Sequence, residues 1–177
     1  PADENAAKEI LTWLEPVFAA ENITKIGQNV KYDLLVLKNY GVEVKGRLYD
    51  TMLAHYLIEP EGKHSMDWLA EQYLNYKPVS ITSVIGKKGK NQGTMRDVDV
   101  DEVVDYASED ADITLQLKQL LDPLVKQQGV EKLLQEVENP LIEVLTAMEF
   151  EGVKIHTEAL AELSAELEKE SRLLEAR

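Results

Sequence analysis

Tyr-Ala-Ser-Glu-Asp-Ala-Asp, residues 106–112, sets a tyrosine and a cluster of acids inside a long run with a helical apolar pattern. Residues four apart lie on one face of a helix, so Tyr106 and Asp110 are predicted to point the same way. Taken alone, such a run is best explained as a solvated helix face. A second stretch, Gly-Gln-Asn-Val-Lys-Tyr-Asp at 27–33, also places a polar residue four positions before an aspartate, Asp33. This repetition favours a functional site built from both stretches.

The composition is that of an ordinary globular protein. The 177 residues, 44% of them apolar, suffice for one domain or one domain with an appendage. The absence of cysteine excludes disulfides and thiolate metal sites and fits a reducing compartment. No apolar run approaches the roughly 18 residues of a membrane span, and no signal-peptide pattern is present. We therefore predict a cytoplasmic protein without membrane association.

The net charge of −14 argues against a large surface that grips a phosphate backbone. Such binding depends on clustered Lys and Arg side chains that release counterions. Contact with nucleic acid is therefore predicted to be small and local. An acidic protein can still act on phosphodiesters when its carboxylates hold divalent cations, because the charge of the metal inverts the local field.

The spacing of apolar residues predicts a helix-rich chain with two short strands. The strands are predicted at 24–27 and 42–49, and the helices at 3–20, 29–38, 50–58, 65–74, 99–127, 131–150 and from 157 onward. Asp50 is predicted as the N-cap of the third helix, and capping is favoured over a role in metal binding. Asp99 or Asp101 is predicted to cap the 99–127 helix and Thr157 the last one. Pro140 is predicted to bend the helix that contains it.

The histidines and the single basic loop offer little chemistry. His55 and His64 have no partner histidine at ligand spacing, so surface or capping roles are predicted, and His156 is predicted to lie in a turn. The stretch Gly-Lys-Lys-Gly-Lys-Asn-Gln-Gly at 86–93 lacks the spacing of a P-loop. We predict a mobile loop there, with contact to a backbone phosphate as the alternative.

Asp33 and Asp110 are the candidate metal ligands. Two carboxylates brought together in the fold could hold Mg²⁺ or Mn²⁺, hard cations that prefer oxygen ligands. The hydroxyl of Tyr106, one turn before Asp110, could orient a metal-bound water towards phosphorus. These residue types are typical of metal-assisted phosphodiester hydrolysis.

Four stretches of the chain resemble the 3′–5′ proofreading exonuclease domain of the bacterial DNA polymerase I family, the family A DNA polymerases. They are the stretches at 27–33 and 106–112, Tyr-Asp-Thr-Met-Leu-Ala at 49–54 and Gly-Lys-Asn-Gln at 89–92. The likeness covers essentially the whole chain. From about Glu138 through Glu-Gly-Val-Lys-Ile at 151–155, the sequence resembles the passage where the polymerase domain of that family begins.

The resemblance implies an α/β fold of the ribonuclease H-like 3′–5′ exonuclease type. It implies a partial exonuclease domain at 1–130 and the helical start of a polymerase domain at 131–177. Asp33 matches the carboxylate of the family's second motif, and Tyr106 and Asp110 match the water-orienting tyrosine and the metal-binding aspartate of the third. Positions that lie along the single-stranded 3′ end in the family are matched by Gln28, Asn29 and Tyr32. For Tyr32, a half-buried helix aromatic is an equally good interpretation.

The sequence departs from the family at the first motif, a strand bearing Asp-x-Glu that supplies two further carboxylates. No such strand precedes the helix at 3–20, and Asp3 and Glu4 lie too close to the terminus to replace it. We therefore expect an N-terminally truncated, helix-rich form of the fold that lacks its leading strands and exposes an edge of its sheet. Weak metal binding and little or no exonuclease activity are expected of it.

The resemblance leaves several interpretations open. In the intact parent protein, two-metal hydrolysis of the terminal phosphodiester of a mispaired 3′ end is expected. The rival is a non-catalytic scaffold that supports the polymerase domain, and a weaker option is a ribonuclease D-like enzyme acting on RNA. Pairing of the exposed sheet edge with a second copy, giving a homodimer, is a further hypothesis.

Overall fold

The computed structural model describes residues 4–87, 89–90 and 92–176. Of the two acids considered above as replacements for the first motif, Glu4 is described and Asp3 lies outside the described residues. Within these ranges, nine α-helices, a 3-10 turn and two strands follow in the order α1 (Glu4–Phe18), β1 (Lys25–Gly27), α2 (Val30–Asn39), β2 (Leu48–Asp50), α3 (Thr51–Ile58), α4 (Met66–Leu69), α5 (Ile81–Ile85), a 3-10 turn (Met95–Asp97), α6 (Val100–Gln127), α7 (Glu131–Leu133), α8 (Asn139–Glu151) and α9 (Thr157–Glu175). Two π-helical turns, described below, lie after α4 and before α8. The described part is therefore a helix-rich α/β fold, as the sequence predicts.

The two strands form a parallel pair, with Lys25 opposite Leu48 and Gly27 opposite Asp50. The second strand is shorter than predicted, because only its last residues join the sheet. Gly46 has φ 84°, and a Cβ at this position would lie 2.8 Å from the carbonyl oxygen of Glu21. The chain turns here against the end of α1, so the residues before Gly46 do not continue the ladder.

The main core surrounds α6. Its buried residues come from α6, from α3 and β2, from α4 and from the helix that follows Gly129: Tyr49, Ala54, Leu69, Ala70, Ile113, Leu117, Leu121, Val125 and Leu134. A smaller core joins α2, β2 and α8 through Val30, Leu34, Leu48 and Ile142. Through Leu134 and Ile142, the segment that starts at residue 131 packs into both cores.

Two helices predicted as regular contain a π-helical turn. Ala70–Leu74 continues α4, and Leu134–Glu138 joins α7 to α8. In the second case the amide of Asn139 donates to the carbonyl of Leu134, five residues back. Pro140 has no amide to donate, so the regular ladder is interrupted here, as its position predicts.

The last helix begins differently from the prediction. The N-cap of α9 is His156, whose Nδ1 accepts a hydrogen bond from the amide of Ala159 at 3.1 Å. The predictions of Thr157 as the cap and of His156 as a plain turn residue are therefore wrong. An imidazole nitrogen can accept the first-turn amide in the way that a hydroxyl does. All residues of Thr157–Glu175 are exposed.

Among the described residues, no helix combines the length and the apolar character that crossing a bilayer requires.

Candidate active site

Tyr106 and Asp110 form a hydrogen-bonded pair one turn apart on α6. The helix starts where Asp99 accepts the amide of Asp101 at 3.0 Å, which selects Asp99 among the two predicted caps. Burial, the charge of Asp110 and the hydrogen bond to it raise the pKa of Tyr106 to about 12. The phenol therefore keeps its proton at neutral pH and can donate it in a hydrogen bond.

Asp110 has one oxygen that its protein surroundings leave free. Burial raises the pKa of its carboxyl, the hydrogen bond from Tyr106 lowers it, and the charges of Asp67 and Glu109 raise it further. Its Oδ1 atom is buried and has no hydrogen-bond partner among the described residues. A buried carboxylate oxygen without a donor is costly unless a cation or another group completes it.

Glu109 holds a distant segment against the same turn of α6. Its Oε1 accepts the hydroxyl of Tyr76 at 2.5 Å, and its Oε2 accepts the backbone amide of Val79 at 2.7 Å. The hydrogen bond and the charge of Glu109 raise the pKa of the Tyr76 phenol. In the sequence, Glu109 is only one acid of the 106–112 cluster, and its contacts could not be predicted because their donors are distant along the chain.

Asp33 lies where α2 begins beside the end of β1. A Cβ on Gly27 would lie 2.7 Å from Val30 Cγ2 and 3.8 Å from Asp33 Oδ2, so glycine lets the helix approach the strand. Burial and the charge of Asp50 raise the pKa of the Asp33 carboxyl. The position of Asp33 thus depends on how the first turn of α2 is fixed.

Asp50 fixes that turn. Its predicted role as the cap of α3 is confirmed by hydrogen bonds from the amides of Met52 at 2.9 Å and Leu53 at 3.4 Å. It also accepts the amides of Asn29 at 3.2 Å and Val30 at 2.8 Å, at the start of α2. Only 2% of Asp50 is exposed. Burial raises its pKa, and the backbone hydrogen bonds oppose that shift.

The three residues predicted to contact a 3′ end differ in their hydrogen bonding and solvent exposure. Gln28 donates its amide to the carbonyl of His64 at 2.7 Å, and its side-chain oxygen accepts the hydroxyl of Thr51. Asn29 is exposed and has a left-handed backbone, φ 62°. Tyr32 is 64% exposed, so its ring is open to solvent and free to stack.

His55 and His64 form a pair that the sequence spacing did not predict. His55 is fully buried, and its Nδ1 lies 2.8 Å from Nδ1 of His64. On the other side of the ring, Nε2 lies 3.1 Å from the hydroxyl of Tyr73. The prediction of surface or capping roles is therefore wrong for these two histidines. The turn between α3 and α4 brings them together, and only the fold reveals this.

The basic loop closes on itself in its described part. The amide of Gly93 donates to the carbonyl of Ile85 at 2.8 Å, and the amide of Gln92 donates to that of Gly89 at 3.1 Å. Lys88 and Asn91, which belong to the predicted loop and to its phosphate contact, lie outside the described residues.

The carboxylates of Asp33 and Asp110 have different acidic neighbours. Asp50 acts on Asp33, whereas Asp67 and Glu109 act on Asp110. Within the described ranges, no group of three or more His, Asp or Glu side chains is arranged to hold a metal ion. The free Oδ1 of Asp110 fits one ligand position of a divalent cation, but the described residues do not form a complete metal centre. That Asp33 and Asp110 share metal ions stays a prediction.

Comparison with known proteins places the chain in a family. Residues 2–126 match the sequence model of the 3′–5′ exonuclease found in DNA polymerase A. The chain belongs to this exonuclease family.

Its relatives are DNA polymerases I. The chain is 37% identical to the DNA polymerase I of Rhizobium leguminosarum over 169 residues, which are 95% of this chain and 16% of that protein. It is 37% identical to that of Borreliella burgdorferi over 135 residues, which are 76% of this chain and 14% of that protein. The chain thus spans about a sixth of the length of these relatives.

A solved structure has the same fold. The structure described as the POL domain of Pol1 from M. smegmatis, in complex with DNA primer-template and dNTP, superposes with a TM-score of 0.73. The two sequences are 23% identical, and the match covers 93% of this chain and 25% of the other. At this identity the likeness concerns the fold alone.

Proposed function

We propose that this chain is part of a DNA polymerase I and contributes to the proofreading of mispaired DNA. The reaction is hydrolysis of the 3′-terminal phosphodiester, with release of a nucleoside monophosphate. The observation that carries the proposal is the Tyr106–Asp110 pair, which lies inside the region that matches the exonuclease family. The Oδ1 atom of Asp110 in this pair is buried and accepts no hydrogen bond from the described residues. Residues 1–130 belong to a ribonuclease H-like exonuclease domain, and 131–177 begin the polymerase domain.

Each side chain has one task in this proposal. Asp110 and Asp33 would hold Mg²⁺ or Mn²⁺, and bound metal supplies an activated water and stabilises the leaving oxygen. Tyr106, whose phenol stays protonated, donates a hydrogen bond that fixes the orientation of Asp110 and of a water beside it. Tyr32 stacks on a base of the single-stranded 3′ end, and Asn29 contacts the backbone next to it. Gln28 is held in place by its hydrogen bonds to His64 and Thr51 and contacts the same 3′ end.

The test measures excision in the full-length protein. With a primer that carries a 3′ mismatch and Mg²⁺, Asp110→Asn and Asp33→Asn are expected to lower kcat at least 100-fold, and Tyr106→Phe about tenfold. Asp105→Asn removes an exposed acid from the same helix and is the matched control, with wild-type excision. If the wild-type protein excises nothing while it still polymerises, the scaffold alternative is correct. If RNA ends are removed faster than DNA ends, the ribonuclease D-like alternative is correct.

The 177-residue chain by itself is expected to have little activity. Its sequence contains no Asp-x-Glu, so the two carboxylates of the family's first motif have no counterpart in these residues. Incubation of the isolated chain with Mn²⁺ and a single-stranded oligonucleotide should release no nucleotide above background. Release that Asp110→Ala abolishes would contradict this expectation.

The same isolated chain is proposed to pair through a free edge of its two-stranded sheet. An unpaired edge offers amides and carbonyls to a second copy. Light scattering at high concentration should give the mass of a dimer, and a strictly monomeric profile would rule this out.

A further inference from the structure

Both oxygens of the Glu109 carboxylate are used by one segment of chain. Residues 76–80, here called the 76–80 segment, supply the hydroxyl of Tyr76 and the amide of Val79. A hydrogen bond from an amide to a carboxylate is charge-assisted and is stronger than one to a neutral acceptor. Glu109 is therefore not one of the solvated acids that an acid-rich helix face normally displays.

The segment reaches Glu109 along a constrained path. It follows a π-helical turn that ends at Leu74, and the next residue, Asn75, has a left-handed backbone with φ 50°. Pro78 is buried and fixes its own φ. Ser80 then accepts the amide of Thr82 at 3.3 Å and starts α5. With both ends set in this way, the bonds to Glu109 decide how close the middle of the segment lies to α6.

The turn of α6 that holds the segment is the one that carries the proposed active residues. Glu109 lies three positions after Tyr106 and one before Asp110, and its charge is close enough to raise the pKa of both. The 76–80 segment is thus held by its contacts with Glu109 on the turn of α6 that carries Tyr106 and Asp110. It presents Tyr76 and Val79 with 48% and 39% of their surfaces exposed, and an aromatic ring in such a place can contact a nucleobase.

We propose that Glu109 is a positioning residue that holds the 76–80 segment beside Tyr106 and Asp110, so that the segment forms one wall of the site for the single-stranded 3′ end. This inference rests on the proposed function for the identity of the ligand, the single-stranded 3′ end. The contact between Glu109 and the 76–80 segment is independent of that function. Glu109 touches neither substrate nor metal. Its removal lowers the affinity for the 3′ end and leaves the bond-breaking step in place.

The first measurement is hydrogen–deuterium exchange of the full-length protein, read on peptides that contain the 76–80 segment. Glu109→Ala removes both acceptors and is expected to raise exchange there at least tenfold. Glu109→Gln keeps one acceptor oxygen, and Tyr76→Phe removes one donor, so each is expected to give an intermediate rise. Asp105→Asn, the loss of an exposed acid one turn earlier on the helix, leaves exchange unchanged. Unchanged exchange in Glu109→Ala would overturn the proposal.

The second measurement is the affinity for a 5′-fluorescein single-stranded oligodeoxynucleotide in EDTA, where hydrolysis cannot proceed. Glu109→Ala is expected to raise Kd about tenfold, with partial rescue in Glu109→Gln and no change in Asp105→Asn. In excision assays with Mg²⁺, KM should rise by a similar factor while kcat stays within about twofold. A faster-exchanging segment with unchanged Kd would overturn the positioning role.

The two proposals fail in different ways. If wild-type protein does not bind the oligonucleotide, the proposed function fails and the role of Glu109 in binding fails with it. The exchange result still decides separately whether Glu109 holds the segment. If binding and exchange respond as expected but Asp110→Asn retains full excision, the assignment of Asp110 is wrong and the role of Glu109 stands.

Discussion

Asp50 shows how much one buried side chain can organise. A carboxylate accepts several hydrogen bonds at once, and here it caps two helices, one that starts at Val30 and one that starts at Thr51. Sequence reasoning predicted one of these caps because Asp-Thr before an apolar run is a local signal. The second cap depends on the pairing of β1 with β2, which has no local signal.

Loss of this side chain should be costly. Asp50→Ala is expected to lower the free energy of unfolding by about 3 kcal/mol, since two caps contribute about 1 kcal/mol each and amides left unsatisfied add to the cost. Asp99→Ala removes a single exposed cap and is expected to cost about 1 kcal/mol. Urea denaturation measures both, and equal losses in the two variants would contradict the double role of Asp50.

Asp110 is expected to destabilise the fold that carries it. Burial and the charges of Asp67 and Glu109 raise its pKa, so the ionised form is disfavoured in the folded state. Asp110→Asn removes the charge and keeps an oxygen that Tyr106 can donate to. We expect this variant to be more stable at pH 7 by about 1 kcal/mol, a common gain when a functional group is neutralised.

Thermal unfolding without added metal is the measurement for Asp110→Asn. The surface variant Asp105→Asn should leave the Tm unchanged. A lower Tm for Asp110→Asn would show that its carboxylate has a stabilising partner after all.

At the scale of elements, the sequence predicted the type and approximate limits of the long helices, because their apolar spacing is local and repeats over many turns. It did not predict the π-helical turns or the late start of β2 at Leu48. The π-helical turn at Leu134–Glu138 adjoins Pro140, which lacks an amide, and the start of β2 depends on the close approach of Gly46 to Glu21. The meeting of His55 and His64 was missed for the same reason, since the turn between α3 and α4 sets it.

The histidine pair makes stability depend on pH. Burial and the charge of His64 lower the pKa of His55 below its usual 6.5, and Glu59 partly opposes them. A lowered folded-state pKa means that the unfolded chain binds the proton more readily. Stability is therefore complete above about pH 6.5 and is lost as the pH falls below it.

Thermal unfolding at pH 7.5 and 5.5 tests the role of this pair. We expect the loss of Tm at pH 5.5 to shrink in His55→Gln and to persist in His156→Gln, which changes an exposed histidine. If His55→Gln keeps the full loss, another group is responsible. Tyr73, which faces the other side of the His55 ring, is also titratable, but its pKa is raised from the usual 10.0 and lies outside this range.

At the scale of the whole molecule, residues 131–151 and α9 contribute differently to the stability of the fold. Leu134 and Ile142 lie in the cores that include α6 and α2, whereas every residue of α9 is exposed. Deletion of residues 157–177 is therefore expected to leave the Tm within about 2 °C, because no apolar surface leaves the core. Deletion from residue 131 removes core side chains and should lower the Tm by more than 10 °C. Equal effects would contradict this division.

The candidate site was predicted only in part. The spacing within 106–112 predicted that Tyr106 and Asp110 share one face of α6, and the hydrogen bond between them follows from it. In 27–33 the spacing does not act in this way, because Asn29 precedes α2 with a left-handed backbone. The contacts of Glu109 and the double cap of Asp50 join residues that are distant in sequence. No pattern within one helix contains that information.

The double cap has a consequence for motion. Amides in the first turn of a helix have no acceptor within that helix, so Val30 and Met52 depend on the same carboxylate. Each can exchange with solvent only when Asp50 leaves its place, and one departure frees both. The starts of α2 and α3 then open as a single unit, and the opening free energies of the two amides should agree within about 0.5 kcal/mol. Residue-resolved exchange by NMR measures them, and clearly different values would mean that the two helices open independently.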